Sequence, residues 1–270
     1  MAEWDEYVER MVEIIRANRG DGRQCALGVR QLTREALGRD AFLVACVDRI
    51  LSSMEAAPEN WRNPPLQAIA DPAVLIRVFY WPPGRRNDPH LHEAWTVTGV
   101  LHNEIVVETY KEADTVPTTL AELTPTRFSA GAGDTGYLLP PCVHCLHNPS
   151  STDTATFHVF SMGEQHSKAP GGADMPRHAA PPVAPVAPEL RRRALRVMAA
   201  ILERVGGPST VERWLRIFPL GGPATKLRVV KALLPIDLGL AREKSRELEA
   251  ALCGSEQAAL SRINAALAAV

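Results

Sequence analysis

The sequence predicts a mainly β fold, a sandwich or barrel of short strands, with helical segments on either side of it. Three observations carry this. Residues from about 66 to 163 hold short apolar runs broken by Pro and Gly. Residues 3–57 repeat apolar side chains at helical steps, and the stretch beyond 188 is rich in Leu, Ala, Arg and Glu.

Taken in order, Trp4, Val8, Met11, Val12 and Ile15 mark one face of a first helix. Gly20-Asp21-Gly22 breaks it, and a second apolar set runs through Leu32, Leu37, Leu43 and Val47. Pro58 and Pro64-Pro65 end that region. Val74 to Trp81 reads as a buried strand, stopped by Pro82-Pro83-Gly84. Trp95 to Leu101 and Ile105 to Tyr110 read as strands about a hairpin turn at His102-Asn103, and Thr154 to Ser161 as another with alternating faces. Residues 167–188, with Pro170-Gly171-Gly172 and Pro181, Pro182, Pro185 and Pro188, read as an extended linker. Beyond it, Pro208 and Ser209-x-x-Glu212 form a capping box for a helix through Trp214 to Phe218, and residues 239–269 give one or two more helices. The expected organisation is a β domain with its N-terminal helices over 1–166, a linker over 167–188 and a helical extension over 189–270.

With 46% apolar and 23% charged residues the composition is that of an ordinary globular protein. A net charge of −1 gives no electrostatic reason to expect nucleic acid or an anionic membrane. The N-terminus is acidic without an apolar signal core, and no run reaches the length of a membrane span, so a cytoplasmic location is expected. The five cysteines are scattered and do not read as a disulfide framework. Cys142 and Cys145 form a Cys-x-x-Cys without the second pair a structural zinc site wants.

Six of the eight histidines fall between 90 and 158. His90-x-His92 follows Gly84, and a two-residue step on a β-strand puts both imidazoles on one face. His144, four residues before Asn148, is the preferred third ligand, with His147 as the alternative. Two neighbouring histidines and a distant third make a facial metal site with open positions.

Trp81-Pro82-Pro83-Gly84 through His92 and Trp95, then Gly99-Val100-Leu101, resembles the first motif of the cupin superfamily. More narrowly, it is similar to the bacterial cysteine dioxygenase family and its 3-mercaptopropionate-oxidising relatives. His144-Cys145-Leu146-His147-Asn148-Pro149-Ser150 resembles that family's third-ligand motif, and Thr156-Phe157-His158-Val159-Phe160 the strand that carries its Ser-x-His-x-Tyr. Trp61-Arg62-Asn63 resembles the place of its substrate-carboxylate arginine. The resemblance covers roughly residues 25–165 and implies a cupin, jelly-roll-like β-barrel. It also implies Fe(II), or another divalent metal, on His90, His92 and His144, with O2 and a small molecule as substrates. His158 would be the catalytic imidazole. Arg62, Arg77, Tyr80, Trp95 and Phe160 would bind substrate, with Arg77 as the alternative carboxylate clamp because alternation sets it beside Leu75 and Phe79.

The chain departs from the pattern in places. A general cupin carries a glutamate ligand where Thr96 and Val97 stand here, and Glu93 would point to the opposite face of a strand. The site therefore reads as three neutral histidines, as in thiol dioxygenases. Phe160 replaces the tyrosine, Val97 the cross-linking cysteine, and Pro140-Pro141-Cys142-Val143 lacks the second-motif glycine. The expected activity is oxidation of a small thiol or amino-acid-derived substrate to a sulfinate. The alternatives are a metallocupin oxygenase or other metal-dependent enzyme acting on a non-thiol substrate, with a place in specialised metabolism, and a non-catalytic ligand-binding module. The C-terminal helices are candidates for self-association.

Overall fold

The computed structural model describes residues 2–110, 125–162, 187–249 and 254–268. Most of the expected linker therefore lies outside the described residues, although its last two positions, Ala187 and Pro188, already begin a helix. The chain forms two compact units. One holds Met1–Ala45 and Asn63–Val186, the other Cys46–Arg62 and Ala187–Val270. This differs from the expected boundaries, because 46–62 groups with the C-terminal helices. Helix outweighs strand, 52% against 23%, so the label "mainly β" fits the centre of the first unit and not the chain.

In the first unit, α1 (Ala2–Ala17) buries Trp4, Tyr7, Met11 and Ile15, a stripe at helical spacing. Asp21 caps α2 (Gly22–Leu37), accepting the Gln24 N–H at 3.0 Å. The second apolar set is two helices, since Gly38-Arg39 separates α2 from α3 (Asp40–Ala56).

Eight strands follow: β1 (Gln67–Ile69), β2 (Val74–Trp81), β3 (Thr96–His102), β4 (Glu104–Tyr110), β5 (Thr126–Gly131), β6 (Thr135–Leu138), β7 (Val143–His147) and β8 (Thr154–Ser161). They form two antiparallel sheets, ordered β1-β2-β8-β3-β6 and β5-β4-β7. β3 and β4 do not pair with each other as the hairpin reading expected. Asn103, at φ 65°, turns a corner that sends β3 into one sheet and β4 into the other.

Strand alternation gives each sheet two distinct faces. On the five-stranded sheet, Phe157 meets Trp4, Tyr7 and Phe42 with ring centroids 5.8–6.3 Å apart, so that face is covered by helices. Gly99 lies so close to α2 that a Cβ would stand 2.5 Å from Leu37 and 3.3 Å from Thr33. The opposite face looks toward the second sheet. There Val100, Ile105 and Leu146 form a buried cluster, packed by Trp81, Val107 and Ala130.

The second unit is built from the rest of α3 and α4 (Ala187–Val205), α5 (Val211–Leu220), α6 (Pro223–Leu233), α7 (Leu238–Glu249) and α8 (Gly254–Ala268). Asp48 on α3 binds Arg213 at 2.6 Å and Arg216 at 2.9 Å, and Glu55 binds Arg216 at 2.8 Å. These pairs explain why 46–62 sits with the C-terminal helices. The expected capping box does not form: Pro208–Thr210 is a 3-10 turn, and Thr210, the N-cap of α5, makes no side-chain cap bond.

Candidate metal centre

The two histidines of the His-x-His element are not on a regular strand, contrary to the expectation. After β2, Pro82-Pro83-Gly84 turns the chain, with Gly84 in the left-handed region at φ 68°. The segment that follows lies antiparallel to β7 but pairs with it only at separated points. Arg85 O accepts the Asn148 N–H at 2.8 Å, and Asn87 N–H donates to Leu146 O at 3.1 Å. His90 and His144 exchange both backbone hydrogen bonds, at 2.9 and 2.8 Å. Pro89 has no N–H to give, which interrupts a continuous ladder.

These pairings contain a shift of register. Arg86 stands opposite His147 and His90 opposite His144, so Asp88 and Pro89 share the single position of Cys145. That is a β-bulge. Its effect is one of parity, because a one-residue slip moves every later side chain to the other face. Arg86 points to the outer face with His147. Without the bulge His90 would follow it there. With the bulge, His90 and His92 turn inward with His144.

The three rings meet at centroid separations of 4.4 Å (His90–His144), 4.9 Å (His92–His144) and 5.0 Å (His90–His92). One nitrogen from each lies within 4.8 Å of the others, and among the described residues no carboxylate joins the group. Glu93 is exposed. His144 Nδ1 lies 3.1 Å from Cys142 O, and His90 Nδ1 lies 3.0 Å from Asp88 O. A carbonyl only accepts, so both Nδ1 atoms carry the proton and both Nε2 atoms keep their lone pairs. Burial, with the neighbouring His90 second, holds His144 down to about 3, in the neutral form a metal requires. His147, the alternative ligand, lies on the other face of β7 and outside the group.

Inward-facing residues of the five-stranded sheet line the other side. Phe160 sets its ring 5.4 Å from His92, edge to face, and stacks on His158 at 5.4 Å. His158 meets Phe79 at 5.0 Å. Both nitrogens of His158 are engaged, Nδ1 with Thr98 Oγ1 at 3.1 Å and Nε2 with Thr156 Oγ1 at 2.8 Å. Trp81 Nε1–H donates to that same Thr156 oxygen at 2.7 Å. Either tautomer of His158 satisfies both bonds, because each threonine hydroxyl can donate or accept. Burial, followed by the three nearby histidines, brings His158 down to about 3. His158 is thus a buried, neutral ring with both nitrogens hydrogen-bonded to threonine hydroxyls.

Arg77 lies on the inward face, opposite His158 in the ladder. It donates to Asn63 O at 2.9 Å and sits 5.5 Å over the Phe79 ring. Its Nε is buried without a hydrogen-bond partner among the described residues. Three other expected substrate contacts fall elsewhere. Tyr80 is on the opposite face of β2 from Arg77 and Phe79. Trp95 packs against Gly22 at the start of α2. Arg62 is exposed and belongs to the other compact unit. For Tyr80 the residue type was read without knowing which face of β2 turned inward.

His92, His144, Leu138, Pro140 and Cys142, among others, line a crevice beside the histidines that is too tight to admit a water molecule. Cys145 forms no disulfide with Cys142. It lies instead in an outer cluster, 3.3 Å from Glu108, which also binds Arg86 at 2.5 Å and Arg127 at 2.8 Å. Sequence reasoning missed Asn87, Thr98 and Thr156. A threonine alternating with His158 was visible in Thr156-x-His158, but nothing local marked Asn87 or Thr98.

No protein-family model matches the sequence, and no curated protein matches it. Among solved structures, oxalate oxidase in complex with glycolate is similar with a TM-score of 0.28 and 21% identity, over 33% of this chain and 41% of that one. Oxalate decarboxylase from Lactobacillus farciminis, in a formate complex, is similar with a TM-score of 0.28 and 17% identity, over 33% and 24%. A cupin superfamily protein from Desulfitobacterium hafniense is similar with a TM-score of 0.25 and 11% identity, over 33% and 68%. This chain thus spans well under half the length of the two oxalate enzymes, and scores of this size assign it no activity. Each of these likenesses covers one third of this chain.

Proposed function

We propose that this chain is a mononuclear metal-dependent oxygenase of the cupin type, in which His90, His92 and His144 hold Fe(II). The observation that carries the reading is the convergence of three histidine nitrogens with no carboxylate among them. The donors fit such a metal. Two have their Nε2 lone pairs fixed outward by backbone carbonyls, and the buried one is neutral. Bonds of about 2.1 Å place ligand nitrogens no more than roughly 4.2 Å apart, so small ring rotations suffice to close the set. Fe(II) would supply open coordination positions for substrate and dioxygen.

The chain's own residues would do the rest. Phe160 and Phe79 exclude water from the side facing His92, and His158 keeps Phe160 stacked in place. Neutral ligands favour a substrate that brings negative charge, and a thiolate does so. Arg77, a half-buried cation on the same face, favours a carboxylate or similar anion in that substrate. The product of a thiol would be its sulfinate. The test is anaerobic loading with Fe(II), then oxygen uptake against a panel of small thiols with mass analysis. A product carrying both oxygen atoms at sulfur is expected. Protein that binds no iron sinks the reading.

Two features favour a second reading, in which the same centre acts on a substrate other than a thiol. Arg62 is exposed, and Phe160 puts a ring with no hydroxyl against His92. Oxygen uptake with non-thiol carboxylates and none with thiols would decide for it.

A further inference from the structure

We infer that Asn87 is the positioning residue of the metal centre, holding the bulge that turns His90 and His92 inward. The inference rests on the metal-binding reading above and concerns how this chain builds the site. Around the bulge the backbone of the His90 segment cannot complete the ladder to β7, and Leu146 N–H would lose its partner. Asn87 supplies one from its side chain, with Oδ1 accepting Leu146 N–H at 2.6 Å while its own N–H donates to Leu146 O at 3.1 Å. One residue thus satisfies both backbone groups of Leu146, immediately before the two-against-one step. The next paired position is His90 with His144.

The Leu146 bond also fixes which end of the amide is which, because an N–H needs an oxygen. That leaves Asn87 Nδ2 directed at His90, 3.3 Å from Nδ1. For Nε2 to face a metal, Nδ1 carries its proton and gives it to Asp88 O at 3.0 Å. The Asn87 amide nitrogen then meets a donor and not an acceptor. Asn87 places the ring by backbone register without adding a favourable bond to it. Asp at this position would keep the Leu146 bond and replace that opposed donor with an acceptor for Nδ1–H, a partner that raises ligand basicity.

The experiment uses Co(II) as probe, titrated into full-length metal-free protein and followed by its visible absorption, with thermal melting of the metal-free protein alongside. Asn87→Ala should weaken Co(II) binding roughly 10–100-fold and alter the cobalt spectrum. Asn87→Asp should bind as tightly as wild type or tighter. Asn63→Ala, which removes a buried side-chain bond to Val78 O away from this seam, should lower the melting temperature without moving the cobalt affinity. If Asn87→Ala binds cobalt within about threefold of wild type, or weakens it only as much as Asn63→Ala does, the positioning role is wrong. If Asn87→Ala does not fold, Asn87→Asp decides alone, and weaker binding by that variant overturns the inference. Wild-type protein that fails to bind cobalt removes the metal centre itself, a result separate from either variant's.

Discussion

His158 is buried beside three other histidines, and this sets how the wall of the site responds to acid. Its folded pKa of about 3 lies below the ordinary 6.5, so below 6.5 the unfolded chain binds a proton that the folded chain refuses. The stability it contributes is therefore complete above about pH 6.5 and drains away toward pH 3, at up to roughly 1.4 kcal/mol per pH unit. Metal-free protein should lose melting temperature steeply between pH 6.5 and 4, and His158→Gln should flatten that slope. Thr156→Val is expected to be worse for stability at neutral pH, by about 2–4 kcal/mol, because it orphans both Trp81 Nε1–H and His158 Nε2. Chemical denaturation at pH 7 measures it. Arg77 works in the opposite sense. A half-buried cation with no acidic partner among the described residues costs stability, so Arg77→Met should raise the melting temperature. It should also abolish any stabilisation by propionate over propionamide at equal ionic strength. A lower melting temperature would show that the bond to Asn63 outweighs the burial of charge.

At the scale of elements, the bulge at Asp88-Pro89 makes the sharpest prediction. Deleting Asp88 restores simple alternation and should send His90 and His92 to the face of Arg86. Metal binding should be lost while the circular dichroism of the fold is kept, and retained binding would refute the register argument. Gly99→Ala tests the helix-covered face. Its Cβ would press on Leu37 and Thr33, costing about 1–3 kcal/mol in thermal melts. Much of this level was legible in the sequence. Alternation and the Pro and Gly stops located β2, β3, β4 and β8 to within a residue or two, and the histidine spacing, the position of Asn148 and the motif resemblance together pointed to the residues of the metal group. The bulge was not legible, because it exists only relative to Cys145, more than fifty residues away. For the same reason the parity of β7 separated His144 from His147 but could not say which of them faced inward. The same gap applies to Tyr80, which lies on the opposite face of β2 from Arg77 and Phe79.

For the molecule as a whole, the sequence divided the chain at a composition boundary, and the packing divides it differently. Asp48 and Glu55 find their cations on α5, far along the chain, so α3 shares its length between two units. Charge pairing at that separation leaves no local pattern to read. A chain cut at residue 186 should therefore lose solubility or melt lower than the full protein, as its α3 would carry unpaired carboxylates and exposed apolar side chains. Gel filtration and thermal melting of the truncated chain check this. Metal should raise the melting temperature by linkage, about 2.7 kcal/mol at a hundredfold excess over Kd. None of the described helices is long and apolar enough to cross a membrane.

The donor set has a consequence for anyone who purifies this protein. Three imidazoles with no carboxylate offer little to set one divalent ion apart from the next, so affinity follows the general order in which copper, nickel and zinc outrank iron. Metallation is then decided by supply and by the order in which ions arrive. The metal found in a preparation will record the host and the medium more faithfully than it records the reaction.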